Sequence, residues 1–244
     1  MRNFSAVFKR ELKGYFGSPV AYVFIIIFLM ATAGCTFFLS RFYESRTASL
    51  QGFFIWHTWL YLFLVPAVGM RLWSEERKSG TIELLFTLPI TQMQAIMGKF
   101  FAAWSFVGLA LFLTFPMVIT VGYLGSPDYG VIFSSYLGSF LMAGAYLAIT
   151  CFFSSMSKNQ VISFVLSVVA CFIVILLGVG VFTSFLNTFF PVNVGDAISN
   201  FSFYTHFQQL QRGVIDIRDI LYFVSVMLFM LAANGVILEM KKAE

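Results

Sequence analysis

Charge is scarce in this chain. Of its 244 residues only 11% are Asp, Glu, Lys or Arg, against about 25% in a soluble globular domain. That deficit excludes an ordinary water-facing surface. Other absences narrow the chemistry. No Gly-x-x-x-x-Gly-Lys-Ser/Thr run occurs, so the chain carries no nucleotide-binding loop of its own. No His-Glu-x-x-His occurs, which removes the zinc-protease reading. The two histidines, His57 and His206, lack a carboxylate or thiol cluster beside them in sequence and make a poor metal site. Cys35, Cys151 and Cys171 each fall in an apolar run, so no disulfide framework is expected. Aromatic residues are plentiful at 19%, but no basic groove accompanies them, and nucleic-acid binding is excluded.

What the chain has in quantity is apolar length. Val20 to Leu39 holds no charged residue. About eleven of its positions are Val, Ile, Leu or Phe, worth roughly −3 to −7 kcal/mol for insertion. Ser18 can cap this helix and Pro19 suits its first position. A helix needs about 20 apolar residues to cross a bilayer, and comparable runs cover 53–70, 100–124, 131–153, 161–185 and 220–238. The sequence therefore predicts an all-α integral membrane protein of six transmembrane helices, forming a single domain over 1–244. Pro66 and Pro116 lie inside two spans and predict kinks. Gly125-Ser126-Pro127-Asp128 separates the third span from the fourth. The first run is too long for the h-region of a cleavable signal.

Orientation follows from the cations. Arg2, Lys9, Arg10, Lys13, Arg71, Arg77, Lys78, Lys99, Lys158, Lys241 and Lys242 fall on the side of the termini; Arg41, Arg46, Arg212 and Arg218 fall opposite. Both termini are therefore expected in the cytoplasm. No Asp, Glu, Lys or Arg lies deep in a predicted span, which argues against a carrier driven by an ion gradient.

Three segments outside the spans carry most of the information. Residues 3–16 repeat Phe4, Val7, Phe8, Leu12 and Tyr15 at helical spacing, with Lys9, Arg10 and Lys13 at more polar positions. This is the pattern of an amphipathic helix lying in the headgroup layer. Residues 71–99 form the longest cytoplasmic loop. Gly80 interrupts its mixed charges, a short helix is expected from Thr81 to Leu88, Pro89 stops it, and Thr91 with Gln94 has capping-box spacing. A structured projection of this kind suits docking of a soluble partner; interfacial charge anchoring is the plainer alternative. Residues 184–219 are broken by Pro191, Gly195 and Gly213 yet rich in Phe. They predict short outer re-entrant helices that dip into the membrane or cover a pore mouth, since an aqueous loop would not keep so much apolar surface. Both histidines are expected near this outer face.

These residues also resemble a family. Phe8-Lys9-Arg10-Glu11-Leu12 followed by Phe16-Gly17-Ser18-Pro19 is similar to the interface helix of type-2 ABC transporter permeases. The stretch from Glu75 through Gly80-Thr81-Ile82-Glu83-Leu84 to Leu88-Pro89-Ile90 and Gly98-Lys99 resembles their coupling-helix region. Arg212-Gly213 through Asp216-Ile217-Arg218-Asp219 to Tyr222-Phe223 resembles the last span's approach in the gliding-motility and copper-site-maturation branch. The resemblance implies six helices per subunit and two subunits around a path, as homodimer or heterodimer. It also implies two copies of an ATPase subunit below, which hold the ATP and Mg; this chain would bind no cofactor and catalyse nothing. Branch members often work beside an auxiliary membrane subunit with a large external domain. Under this resemblance Glu75, Glu76, Arg77, Thr81, Glu83 and Leu84 dock the ATPase, while Lys9, Arg10 and Glu11 support the interface helix. Phe201, Phe203, Phe207 and Gln211 gate the outer side. The implied location is the bacterial inner membrane. A non-transporting scaffold that anchors envelope proteins is the alternative function.

Overall fold

A computed structural model of the chain describes residues 2–44, 47–82, 90–189 and 194–241. Every regular element among them is helical. In chain order they are α1 (Arg2–Gly17), α2 (Pro19–Gly34, ending in a π-helical turn over Cys35–Leu39), α3 (Gln51–Gly69), α4 (Arg71–Ser79), α5 (Gln92–Phe112), α6 (Pro116–Leu124), α7 (Tyr129–Met156), α8 (Gln160–Leu176), α9 (Gly180–Phe189), α10 (Val194–Ser199), α11 (Phe203–Gln211) and α12 (Ile217–Met240).

The helix starts follow from local chemistry. Ser18 Oγ accepts from the Val20 N–H ahead of Pro19, and Asp128 accepts from Gly130 and Val131. At α5 the capping box is complete: Gln94 N–H donates to Thr91 Oγ1 at 3.3 Å, and Thr91 N–H donates to Gln94 Oε1 at 3.2 Å. Thr91→Ala removes one half of that exchange and is expected to cost about 1 kcal/mol. Thermal unfolding in detergent, compared with Thr91→Ser as the conservative control, measures it.

Among the described residues five helical stretches are long and apolar enough to cross a membrane: Pro19–Leu39, Gln51–Ser79, Gln92–Leu124, Tyr129–Met156 and Ile217–Met240. The run expected to form a span over 161–185 is divided instead. Its helix α8 has 17 residues, about 26 Å at 1.5 Å per residue. At its end Gly178 is pressed against Ser202, whose Oγ adds a bond to the Ile175 carbonyl that the Gly178 N–H already reaches at 3.0 Å. Pro116 also acts more strongly than a kink. It begins a new helix, and in the turn before it Phe115 N–H reaches the Phe112 carbonyl at 3.0 Å while Thr114 Oγ1 adds a bond to the Leu111 carbonyl at 2.6 Å.

Burial sorts the spans. In the most apolar stretch of α7 78% of residues are buried, against 22% in α2 and α12, so α7 is the central helix and the other two present broad faces outward. The residues on those faces include Val23, Ile26, Met30, Leu221, Leu228 and Phe229. In water such a surface would be an association liability; facing acyl chains it is the expected one. Helices α3, α4, α5, α8, α11 and α12 all pack on α7. Small residues allow this crowding: a Cβ at Gly144 would lie 2.6 Å from Met227 Sδ and 2.9 Å from the Trp104 ring. Without a hydrophobic drive between helices in lipid, such close backbone approach supplies the packing.

Candidate functional site

The polar residues that the spans exclude collect at the end of the bundle where α1, α4 and the start of α5 meet. Helix α1 lies along α5, and the fit turns on Gly98, where a Cβ would come 2.8 Å from Val7 Cγ1. Tyr15 stacks on Phe106 of α5 at 5.1 Å between ring centroids and donates its hydroxyl to the Val68 carbonyl of α3. The amphipathic helix expected over 3–16 is thus an element of the packed bundle, seated on two spans.

At the centre of this contact is Lys99. It occupies the buried stripe of α5 with Ala95, Ala102, Ala103 and Phe106, and its side chain is 3% exposed. Its Nζ lies 2.8 Å from Glu76 Oε1 of α4 and 3.1 Å from Glu11 Oε1 of α1. Arg10 reaches the same two oxygens at 3.5 and 2.7 Å. The ammonium also sits 5.3 Å from the centroid of Trp73, within range of a cation–π attraction. One cation therefore ties three separate helices together in a site largely closed to water, where ion pairs are screened far less than at the surface.

The consequence for Glu11 can be signed. Burial by itself raises its carboxyl, but the charge of Lys99 and the hydrogen bonds from Arg10 and Lys99 outweigh it and leave the group lowered from 4.5. A carboxylate lowered on folding contributes stability that is complete above its ordinary range and lost as pH falls through the lowered value. Thermal stability in detergent should therefore fall on acidification below about pH 4.5, and Glu11→Gln should flatten that part of the profile. An unchanged profile in Glu11→Gln would show that the pair contributes nothing.

From this cluster a second set of bonds leads inward. Trp73 N–H and Ser74 N–H both donate to Ser154 Oγ of α7, at 3.0 and 3.1 Å. Ser154 Oγ donates in turn to the Met70 carbonyl. Trp73 Nε1–H points to Cys151 Sγ at 3.3 Å, which also receives Asn234 Nδ2–H of α12 at 3.0 Å. Arg77 donates to the Ser155 carbonyl at the end of α7. Helix α4 is therefore fixed to the central helix on one side and to α1 and α5 on the other.

The residues singled out in the sequence distribute unevenly around this site. Glu76 is turned inward onto Lys99, whereas Glu75, one residue earlier, is exposed. Thr81 is exposed beside Ser79, just past Gly80, whose φ of +72° closes α4 with a left-handed residue. Glu83 and Leu84, together with most of the short helix expected over Thr81–Leu88, lie outside the described residues. Arg10 and Glu11 belong to the cluster, while Lys9 is exposed. Lys99 was legible as one more cation on the side of the termini and as the end of the stretch resembling a coupling region, not as a buried residue. Its position seven residues beyond the Gln92 helix start, in register with three alanines, was the signal that it faces inward.

The residues expected on the outer side form a separate group. Phe203, Phe207 and Gln211 are buried where α11 lies against α7, and Phe203 meets Tyr146 at 5.1 Å; Phe201 is exposed. Beside them His206 Nδ1 contacts Asp219 Oδ1 at 2.6 Å, Nε2 contacts the Asn200 carbonyl, and the ring stacks on Tyr222. His57 is elsewhere, buried among Phe28, Phe53, Phe54 and Tyr61 with Nδ1 on Ser139 Oγ at 2.8 Å. Among the described residues no three His, Cys, Asp or Glu side chains converge as a metal site.

Long apolar spans around a buried central helix define a multi-pass membrane protein. Residues 63–240 match the family described as ABC-2 family transporter protein. The match covers most of the chain, and the chain belongs to that family: it is a transmembrane subunit of an ABC transporter. Membership implies partnership with an ABC ATPase subunit. The matched region begins within α3, so α1 and α2 precede it. A comparison with curated proteins returned no match.

Proposed function

We propose that this chain is a permease subunit whose cytoplasmic α4–α5 connection receives the stroke of a separate ATPase and transmits it through Lys99 to α1. The observation that carries the reading is the shared ion cluster: Lys99 holds Glu76 of α4 and Glu11 of α1 at 2.8 and 3.1 Å. A push on α4 cannot leave α1 in place without separating a buried pair. Coupling between distant sites requires such a physical link between elements that move together. Because α4 is also bonded to α7 through Ser154, the same displacement reaches the central helix.

In this reading both termini are cytoplasmic, the membrane is the bacterial inner membrane, and two ATPase copies bind ATP and Mg below a pair of permease subunits. Arg77, Thr81, Glu83 and Leu84 supply the docking face, and hydrolysis belongs to the partner. The segment with Phe203, Phe207 and Gln211 closes the outer side, with Phe201 at its rim. The work is export, or a conformational change delivered to an external-domain subunit as in the gliding-motility and copper-site-maturation branch that the sequence resembles. Co-purification in mild detergent tests the assembly: an ATPase subunit should accompany wild type and be released or uncoupled by Glu83→Arg. If none binds in detergent or in lipid nanodiscs, the scaffold alternative takes its place.

A further inference from the structure

A groove of about 490 Å³ opens between α1, α2 and the α3–α4 rod. Its size is that of a small-molecule site, and its polarity is graded along the spans. At the end nearest the termini it is lined by Glu11, Arg71 and Glu75; at the other by Val23, Ile27 and Leu64. Ile27 lies nine residues beyond the Ser18 cap, about 13 Å along α2 at 1.5 Å per residue. That depth is close to one leaflet of a hydrocarbon core about 30 Å thick.

The charges at the polar end decide what fits. Glu11 is already neutralised by Lys99 and Arg10. Arg71 and Glu75 stand one turn apart on α4, and neither has an ion-pair partner among the described residues. The end as a whole balances: Arg10, Arg71 and Lys99 against Glu11, Glu75 and Glu76. An anionic headgroup would meet Arg71 but also the unpaired carboxylate of Glu75. A zwitterion satisfies both, its phosphate on the Arg71 guanidinium and its ammonium on Glu75. The outward face of α2, with Val20, Val23 and Ile27 about half exposed, then lies along an acyl chain.

We infer that this groove binds one zwitterionic glycerophospholipid with a primary-amine headgroup, drawn from the leaflet on the side of the termini. The inference rests on the groove and its charges and not on the ATPase reading, which could fail without touching it. A lipid seated here contacts α1, α2 and α4 together and wedges the interface helix against the first span.

Native mass spectrometry of the full chain, purified in mild detergent and offered phosphatidylethanolamine and phosphatidylglycerol in equal amounts, tests it. One phosphatidylethanolamine per chain should be retained at least tenfold over phosphatidylglycerol. The double variant Arg71→Ala/Glu75→Gln should lose that preference, and Val23→Trp, which fills the apolar half from a lipid-facing position, should lose the bound lipid with its elution profile unchanged. Equal retention of the two lipids, retention unaffected in both variants, or no lipid on wild type would overturn the inference. So would a dimer cross-linking through position 23 with no lipid bound, which would assign the groove to a second copy of the chain.

Discussion

Lys99→Met should leave the chain inserted and helical but measurably less stable, and should weaken the link between α1 and α4. The substitution keeps the length of the stem and removes the cation, so Glu76 and Glu11 lose the buried one of the two cations they share, at 2.8 and 3.1 Å. Removing one member of a buried ion pair typically costs about 3–5 kcal/mol, because the remaining charge is stranded. Arg10 still reaches both carboxylates, which places the expected loss toward the lower end. A second variant separates stability from transmission. Lys99→Met combined with Glu11→Gln and Glu76→Gln leaves no stranded charge and should recover most of the thermal stability, since an ion cluster replaced as a whole is often neutral. Coupling should be lost in the triple variant. Recovery of both properties would show that the cluster does no more than avoid its own desolvation.

Gly98→Leu should lift α1 from α5. A Cβ at this position already falls 2.8 Å from Val7 Cγ1 and 3.0 Å from Val7 Cβ, and three further carbons have no space between the helices. Overpacking of a fitted interface typically costs about 1–3 kcal/mol; here a short peripheral helix can move away instead. The expected signature is therefore local: rapid proteolysis or hydrogen exchange in residues 2–17, with the spans still protected. Gly98→Ala should show a milder form, and Val7→Ala should relieve it by removing the nearest methyl. If Gly98→Leu leaves α1 as protected as in wild type, the seating described for it is wrong.

Much of the fold was legible in the sequence because the membrane makes strong demands. A span must be apolar, long and helical, so Val20 to Leu39 announced α2, Ser18, Pro19 and Thr91 marked helix starts, and the turn ending at Asp128 marked the boundary ahead of α7. The fifth run was legible as apolar length but not as two helices, because hydropathy does not report what touches a helix end. The end of α8 packs on Ser202, a residue 27 positions from the carbonyl to which it donates. The ion cluster was half legible. Lys9-Arg10-Glu11 and Glu75-Glu76-Arg77 were visible as charged groups, but the first lay in a helix read as lying in the headgroup layer and the second in a loop read as docking a partner, and Lys99 was counted toward orientation and the coupling-region resemblance, not as a buried residue. Which charge points inward is set by tertiary register: Glu76 turns to Lys99 while Glu75 remains exposed, a difference of one residue around α4 that composition cannot express. The histidines show the same limit, since His57 is enclosed by four aromatic rings and His206 is bonded at both nitrogens.

The measurement that bears most directly on transmission needs no knowledge of the cargo. Spin labels at Lys13 on α1 and Tyr129 at the start of α7, both exposed, report the distance between the interface helix and the far end of the central helix. A Cys35→Ser background suits the labelling, because Cys151 and Cys171 are buried. With the partner ATPase assembled, wild type should show a distance change between the nucleotide-free and ATP-trapped states, and Lys99→Met should show a smaller one. An ATP-dependent change that persists undiminished in Lys99→Met would contradict the role assigned to the cluster.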